Sequence, residues 1–466
     1  MTSPSPTSLA ALRATGHAHR TVKEEVRANL LARLASGETA FPGILGYDES
    51  VLPEVERALL AGHDLVLLGE RGQGKTRLIR TLVELLDEWT PVVTGCEVND
   101  HPYAPVCVRC RRLAGELGDD LPVSWKHRSE RYGEKLATPD TSVGDLIGDV
   151  DPIKVAEGRT LGDPETVHYG LVPRTNRGIF SVNELPDLAE RIQVALLNVL
   201  EERDIQVRGY SLRLPLDLLL VASANPEDYT NRGRIITPLK DRFGAEVRTH
   251  YPVDLLHEVE LVRQEAQLSW PGHPVVVPDH LLEIVSRWTR LVREAPQVDQ
   301  RSGVSARFAV AAAETVAASA LRRAAVTGEP EAVARVCDLP AVVPAARGKV
   351  EFEASEEGRE LEVLDHLLRR ATADTFRALL AGLDLSGLQD RFAEGGVLET
   401  GDLVPAEQLL ADLGPVPGLA QLLGRLGVEQ ESPGLAAAAL ELALEGLHLN
   451  RRLSKEHVGS RTVYTR

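Results

Sequence analysis

The sequence predicts an α/β domain built on a parallel sheet, followed by α-helical regions. Short apolar runs at 64–68, 178–182 and 218–222 alternate with segments of helical periodicity at 49–61, 77–86 and 188–202. Apolar strands separated by helices are typical of a parallel sheet that helices cover on both faces. We expect four segments: an N-terminal flexible segment and helix (1–40), an α/β domain (41–255) with a cysteine-containing insertion (91–140), a helical region (256–345), and an acidic connector with a helical C-terminal region (346–466).

The composition excludes several classes of function. The chain has 466 residues, a net charge of −17 and only 4% aromatic residues, which argues against nucleic acid or an anionic membrane surface as a main partner. No apolar run reaches the length of about 18 residues that a transmembrane helix needs. Residues 1–20 lack the apolar stretch of a secretory signal, and four cysteines are too few for a disulfide framework. We therefore expect a cytoplasmic protein.

A glycine-rich motif follows the first apolar run. Residues 69–76 fit the pattern G-x-x-x-x-G-K-[ST], which requires a strand before it and a helix after it, and both are predicted. In this motif backbone N–H groups surround a phosphate, the lysine reaches the β- and γ-phosphates, and the hydroxyl ligates Mg²⁺. The predicted ATP-binding residues are Gly69, Glu70, Arg71, Gly72, Gln73, Gly74, Lys75 and Thr76, with Thr76 also a Mg²⁺ ligand.

Polar residues end the second and third apolar runs. Glu184 follows the second run and is predicted to act as the base for, or to orient, an attacking water. Asn183 stands before it, where an aspartate is usual; its amide oxygen can accept a hydrogen bond from a Mg²⁺-bound water but brings no negative charge. A chain that binds ATP and hydrolyses it poorly is therefore the alternative. Asn225 ends the third run and is predicted to hold the γ-phosphate or the lytic water.

The order of these motifs resembles that of an AAA+ ATPase. Within that superfamily the chain resembles the I subunit of magnesium chelatase and the MoxR-type ATPases, over about residues 41–325. The resemblance implies a P-loop AAA+ parallel sheet with helices on both faces, followed by an α-helical lid. The stretches that carry it are FPGILG (41–46), GDLIGDVD (144–151), TNRGIF (175–180), IQVALLNVLEER (192–203) and LKDRFG (239–244).

The resemblance also implies roles for three polar residues. Asn225 would be the sensor-1 residue, and Arg242 would be an arginine finger that acts on ATP held by a neighbouring subunit. Arg307 would be the sensor-2 arginine of the lid, with Arg301 as its competitor. A guanidinium suits both arginine roles because it stays charged and can bridge two phosphate oxygens.

An adenine pocket and a ring are implied as well. Ile44, Leu45 and Gly46 would line the pocket. A finger that acts in trans requires neighbouring subunits, so the resemblance implies a homo-oligomeric ring, expected to be a hexamer. A predicted β-hairpin at 204–214 would face a partner or the pore of this ring. Such rings usually remodel a protein client, here expected to carry a von Willebrand A domain.

Two other functions stay open at this point. One is that of a true magnesium chelatase ATPase subunit, which serves the insertion of Mg²⁺ into protoporphyrin IX. The other belongs to a different class: a nucleotide-gated scaffold or switch with little hydrolysis. The Asn183 position leaves room for the second.

Three of the four cysteines lie in the predicted insertion. Cys96, Cys107 and Cys110 fall within 15 residues, and His101 lies between them. Three cysteines and one histidine can complete a tetrahedral Zn²⁺ site, and a metal would stabilise an insertion with little apolar content. Zinc bound by Cys96, His101, Cys107 and Cys110 is one hypothesis, and free thiols in a loop are the other.

Overall fold

The structure is a computed structural model that describes residues 4–150, 153, 156, 166–202, 205–207, 210–212, 214–226, 234–300, 302–393, 395–428, 432–458 and 461–466. The chain divides into two compact units, Met1–His250 and Tyr251–Arg466. Each unit has its own apolar core. Among the described residues, no helix is both long and apolar enough to cross a membrane.

The first unit has the mixed α/β architecture that the sequence predicts. Its helices are α1 (Leu9–Ala14), α2 (Val22–Ser36), α3 (Val51–Ala61), α4 (Lys75–Thr81), α5 (Val108–Leu117), α6 (Val143–Leu146), α7 (Leu171–Arg174), α8 (Glu190–Glu202) and α9 (Thr237–Arg242). Its strands are β1 (Leu65–Leu68), β2 (Trp89–Val93), β3 (Val123–His127), β4 (Tyr132–Leu136), β5 (Gly148–Val150), β6 (Val167–Tyr169), β7 (Gly178–Asn183), β8 (Ile205–Val207), β9 (Tyr210–Leu212), β10 (Leu218–Ala224) and β11 (Ala245–Arg248).

A five-stranded parallel sheet forms the centre of this unit, which confirms the predicted fold class. The strand order is β11-β1-β10-β7-β4, and every neighbouring pair is parallel. The register pairs Leu68 with Ala224, and Ala222 with Val182. Because parallel strands end at one edge of a sheet, the residues that follow β1, β7 and β10 must lie together.

Apolar side chains cover both faces of the sheet. Leu65 and Leu67 of β1 belong to one core cluster, while Val66 and Leu68 belong to the other. This alternation is expected of a strand with helices above and below it. Helix α2 adds Val22, Val26 and Leu30 to the first of these clusters.

Two details of this unit differ from the expected local pattern. Leu31 and Leu34 of α2 are apolar, yet they are 51% and 42% exposed. The segment at 91–140 also contributes β4, which pairs with β7 at the edge of the central sheet. The hairpin forms from β8 and β9, as the sequence predicts, but its turn residues Arg208 and Gly209 lie outside the described residues.

The second unit is mainly helical. Its helices are α10 (Leu255–Glu265), α11 (Asp279–Glu294), α12 (Ala306–Thr327), α13 (Val342–Ala346), α14 (Glu360–Leu380), α15 (Ser386–Ala393), α16 (Ala406–Leu413), α17 (Leu419–Arg425) and α18 (Pro433–Leu449). Its strands are β12 (Val275–Val276), β13 (Ala332–Val333), β14 (Leu398–Gly401), β15 (Ser454–Val458) and β16 (Arg461–Thr465). One core cluster extends from Val259 to Tyr464, so residues on both sides of position 345 share a core. The antiparallel sheet β14-β16-β15 was not predicted.

Candidate functional site

The glycine-rich loop connects β1 to α4 at the carboxyl end of the sheet. Gly72 and Gly74 both have a φ of +76°, in the left-handed region that glycine adopts without steric cost. Lys75 begins α4, and Thr76 lies in the first turn of that helix. Strand, loop and helix therefore follow one another as a phosphate-binding motif requires.

A side chain at Gly69 would displace two neighbouring side chains. A Cβ atom there would lie 1.9 Å from Thr249 Oγ1 and 2.2 Å from Gln73 Oε1. These two side chains are joined by a hydrogen bond of 2.7 Å, and Gly69 N donates to Ala224 O at 3.1 Å. A cavity of about 400 Å³ opens beside the loop, lined in part by Leu68, Gly69, Gln73 and Thr249.

Lys75, Asn225 and Glu184 form a continuous hydrogen-bonded chain across the edge of the sheet. Lys75 Nζ donates to Asn225 Oδ1 at 2.8 Å, and Asn225 Nδ2 donates to Glu184 Oε2 at 2.7 Å. Lys75 also donates to the carbonyl oxygens of Gly69 and, at 2.8 Å, Glu70. Lys75 and Asn225 are buried, whereas Glu184 is half-buried. Three residues that the sequence selected from separate motifs thus lie in direct contact.

The backbone of Glu184 is strained. Its φ of +56° and ψ of +48° lie in the left-handed region, which costs a residue with a Cβ atom about 1–3 kcal/mol. Its N–H donates to Ser223 Oγ at 3.3 Å, and its carbonyl accepts from Asp187 N at 2.9 Å. Such strain persists only where the surrounding structure holds the residue in place, and it is found mainly at functional sites.

Asn183 is buried at the end of β7 and links it to both neighbouring strands. Its Nδ2 donates to Glu134 Oε1 at 2.6 Å, and its Oδ1 accepts from Ser223 Oγ at 3.3 Å. The Glu134 carboxylate determines the orientation of the amide, because only the NH₂ group of Asn183 can donate to it. Glu134 therefore places a negative charge directly beside the amide that stands in the usual aspartate position.

Glu134 is a site residue that sequence reasoning missed. Burial opposes its ionisation, but hydrogen bonds from Arg80 and Tyr132 and the charge of Arg80 outweigh it and lower the pKa of Glu134. Arg80 Nε and Nη2 lie 2.9 and 3.0 Å from its two oxygens. Arg80 is one helical turn beyond Thr76, so both face the same side of α4. Strand β4 reads YGEKL, and Gly, Glu and Lys are all depleted in strands, so only the sheet pairing reveals the position.

The segment predicted to line the adenine pocket lies against the core and next to the glycine-rich loop. Ile44 packs on the cluster that contains β1, and Gly46 has a φ of +74°. Leu45 is half-buried. The next residue, Tyr47, brings its hydroxyl within hydrogen-bond distance of Gln73 O and, at 2.9 Å, of His250 O. The segment at 44–46 is therefore anchored to the phosphate loop.

The predicted arginines occupy different units. Arg242 is exposed in the last turn of α9, in the first unit. Arg307 is exposed in the first turn of α12, in the second unit, where its N–H donates to Ser305 Oγ at 3.2 Å. Arg301, the competitor for the sensor-2 role, lies outside the described residues. Their roles stay predictions.

The cysteine-containing loop brings together three of the four residues expected there. Ligand atoms of Cys96, Asp100, Cys107 and Cys110 lie within 4.8 Å of one another. The expected fourth member, His101, is not in this group, which corrects the ligand set predicted from the sequence. Its Nδ1 accepts from Tyr103 N at 3.0 Å instead. Hydrogen bonds from the thiols of Cys107 and Cys110 lower the pKa of Cys96.

Comparisons with known proteins agree with the resemblance read from the motifs. The chain is 32% identical over 214 residues to the magnesium-chelatase 38 kDa subunit of Acidiphilium rubrum, covering 43% of this chain and 55% of that protein. It is 29% identical over 236 residues to magnesium-chelatase subunit ChlI of Nostoc sp., covering 49% and 59%. The chain thus spans little more than half the length of these relatives.

A family match and a solved structure complete the comparison. The family described as the Sigma-54 interaction domain matches residues 159–242, which include Glu184, Asn225 and Arg242. A magnesium-chelatase complex of subunits BchI and BchD gives a TM-score of 0.36 at 23% identity, covering 70% of this chain and 98% of that one. In sequence, the chain is similar to AAA+ ATPases and, over about half its length, to the I subunit of magnesium chelatase, as its motifs predicted.

Proposed function

We propose that this chain binds Mg-ATP and hydrolyses it, as an AAA+ ATPase of the magnesium-chelatase and MoxR type, in the cytoplasm. The observation that carries the proposal is the contact chain from Lys75 through Asn225 to Glu184. A cation, an amide and a carboxylate that touch at the carboxyl edge of a parallel sheet are the groups that phosphoryl transfer to water needs.

The residues present fit Mg-ATP. The glycine conformations and the bare Gly69 let the loop backbone approach a phosphate, and Lys75 supplies the charge that holds it. Thr76 and, through water, Asn183 would hold Mg²⁺, and Gly46 with Ile44 would hold adenine. Bound Mg-ATP supplies an activated phosphoryl group with its charge partly neutralised. Glu184 would then take a proton from the attacking water, and Asn225 would orient that water against the γ-phosphate.

The position of Glu134 favours an ATPase over a nucleotide-gated switch with little hydrolysis. The switch alternative arose because Asn183 carries no charge at the magnesium position. In the structure the Asn183 amide donates to the Glu134 carboxylate, whose lowered pKa keeps it ionised at neutral pH. We propose that Glu134 supplies negative charge to the Mg²⁺ hydration shell, in part offset by the Arg80 guanidinium that contacts both of its oxygens. The two acidic functions of the site would then come from different places, Glu134 on β4 and Glu184 directly after β7.

The assembly is part of the proposal. Exposed Arg242 would reach the ATP of a neighbouring subunit, and exposed Arg307 would act from the helical lid, which calls for a ring, proposed to be a hexamer. Hydrolysis in such a ring would remodel a protein client, with a von Willebrand A domain proposed for the partner. A magnesium-chelatase ATPase subunit is the competing member of the same class. Magnesium insertion into protoporphyrin IX, assayed with added partner subunits, separates the two.

Replacing Glu184 by glutamine tests the proposal most directly. The change keeps the size and the hydrogen bond to Asn225 but removes the base, so hydrolysis should fall by about 10²–10⁴-fold. Binding of a fluorescent ATP analogue should stay within twofold of wild type. Glu116→Gln is the matched control, because Glu116 is an exposed glutamate of α5 in the same unit. A wild-type chain that binds ATP without turning it over would contradict the motor and favour the switch.

A further inference from the structure

The loop between β2 and α5 gathers four metal-ligating side chains into a space the size of one ion. Cys96 follows β2, Asp100 lies in the loop, Cys107 caps α5 and Cys110 is in its first turn. Their ligand atoms lie within 4.8 Å of one another. Zinc–sulfur bonds of about 2.3 Å in a tetrahedral site separate ligand sulfurs by about 3.8 Å, so the group needs only a small contraction around one ion.

Asp100 has an oxygen that nothing in the described chain satisfies. Its Oδ2 accepts from Val106 N at 3.1 Å and from Cys107 N at 2.9 Å. Its Oδ1 is fully buried with no hydrogen-bond partner, in a residue that is 1% exposed. An orphaned buried carboxylate oxygen is costly, and a cation beside it removes the cost. The two N–H donors also orient the carboxylate, as hydrogen bonds commonly orient metal ligands.

Hydrogen-bond donors point at all three sulfurs of the cluster. Asp100 N donates to Cys96 Sγ at 3.3 Å, and Cys110 N donates to Cys107 Sγ at 3.3 Å. Arg109 Nη1 approaches Cys110 Sγ at 3.9 Å, which places a cation next to the third sulfur. Three thiolates and a carboxylate around a divalent ion leave a net negative charge, which this arginine partly balances.

We propose that Cys96, Asp100, Cys107 and Cys110 bind one structural Zn²⁺ ion. Sulfur-rich tetrahedral sets with no open position are typical of structural zinc. His101, which the sequence suggested as the fourth ligand, is engaged elsewhere. Its Nε2 lies 3.3 Å from His17 Nε2, and its ring stacks on that of His17.

The ion would brace β7, the strand that directly precedes Glu184. Between two of the proposed ligands, Val98 O accepts from Asn176 Nδ2 at 2.9 Å, and Asn99 Nδ2 donates to Arg174 O at 2.6 Å. Arg177, with a φ of +61°, donates to Pro91 O at 2.7 Å and leads directly into β7. Zinc would thereby hold the loop that positions the start of β7. This role does not require ATP binding, so the two proposals can fail separately.

Metal analysis of the full chain tests the proposal. Protein purified under reducing conditions, without added metal, should contain one zinc per chain by inductively coupled plasma mass spectrometry. Removing zinc with a chelator should lower the melting temperature, and zinc added back alone should restore it. Replacement by Co²⁺ should give the intense visible absorption of a tetrahedral thiolate site.

Two variants separate the ligand sets. Asp100→Asn keeps the size and one acceptor oxygen but should weaken zinc binding by at least about tenfold. His101→Ala should retain one zinc per chain, and so should Cys337→Ala, the control for a cysteine outside the loop. The proposal is overturned by wild-type protein without zinc whose melting temperature does not respond to it, by a coloured iron-containing protein, or by a Cys107–Cys110 disulfide. Loss of zinc in His101→Ala with full retention in Asp100→Asn would overturn Asp100 as the ligand.

Discussion

The two polar sites of the first unit differ in how their residues are spread along the chain. Lys75 and Asn225, which share a hydrogen bond in the proposed phosphate-binding site, stand 150 positions apart. The cysteine site draws all its members from residues 96–110. The sequence predicted the residues of the distant site that meet. In the compact group, Asp100 stands with the three cysteines and the expected His101 does not.

The difference teaches where sequence patterns determine side-chain positions. In a parallel sheet, strand ends share an edge, so a residue that directly follows an apolar strand has a known place. In a loop no repeating geometry sets the direction of a side chain. Asp100 and His101 are neighbours in sequence, and only one of them points at the three sulfurs.

Among the substitutions that test this comparison, Asn225→Ala should lower ATP hydrolysis the most. It removes the amide that contacts both Lys75 and Glu184, so hydrolysis should fall by about 10²–10³-fold, as when an oriented donor is lost from an active site. Steady-state turnover measures the fall, and zinc content should stay at the wild-type level. A variant with near wild-type turnover would show that the contact chain is structural only.

Gly69→Ala should have the second-largest effect, on stability and on nucleotide binding. A Cβ 1.9 Å from Thr249 Oγ1 and 2.2 Å from Gln73 Oε1 requires both side chains to move and breaks their hydrogen bond, at a cost of about 1–3 kcal/mol. Because Gln73 belongs to the loop, binding of a fluorescent ATP analogue should weaken. Thermal unfolding and analogue titration check both effects. Gly115→Ala is the control, because nothing lies within 4 Å of a Cβ there and alanine suits the interior of α5. Equal behaviour of the two variants would contradict the packing argument.

Glu134→Gln should have a smaller effect. The variant keeps a hydrogen bond to Asn183 but loses the charge, a difference of about 1 kcal/mol or roughly fivefold in turnover. Titration of Mg²⁺ in the ATPase assay should show a matching loss of metal affinity, with Glu116→Gln unchanged. Full activity without Glu134 would mean that Asn183 needs no neighbouring charge.

The same variant has a defined pH dependence. The pKa of Glu134 is lowered in the folded chain, so its ionised form stabilises the fold above the ordinary glutamate range of about pH 4, and this contribution is lost as the pH falls through the lower folded value. The melting temperature of Glu134→Gln should therefore lie below that of wild type at neutral pH. The gap should narrow in acid. If the difference in melting temperature widened in acid, the pKa of Glu134 would be raised in the folded chain, not lowered.

Much of the fold and of the phosphate site could be predicted because its signals are local. An apolar run, a glycine-lysine motif and a polar residue at a strand end each reflect a short-range physical demand. Glu134 escaped notice because its strand lacks β-branched residues, and pairing with β7 makes it a strand. The antiparallel sheet near the C-terminus was missed because it pairs residues as far apart as Leu398 and Tyr464.

By itself the sequence determined the parallel α/β architecture, the phosphate loop and the polar residues at the strand ends, since periodicity and strand-end position dictate them. Tertiary structure alone decided that Glu134 lies beside Asn183, that Glu184 adopts a left-handed backbone, and that Asp100 completes the cysteine group. Each of these depends on which segments pack together and on the direction of a side chain. Neither is encoded in the spacing of residues along the chain.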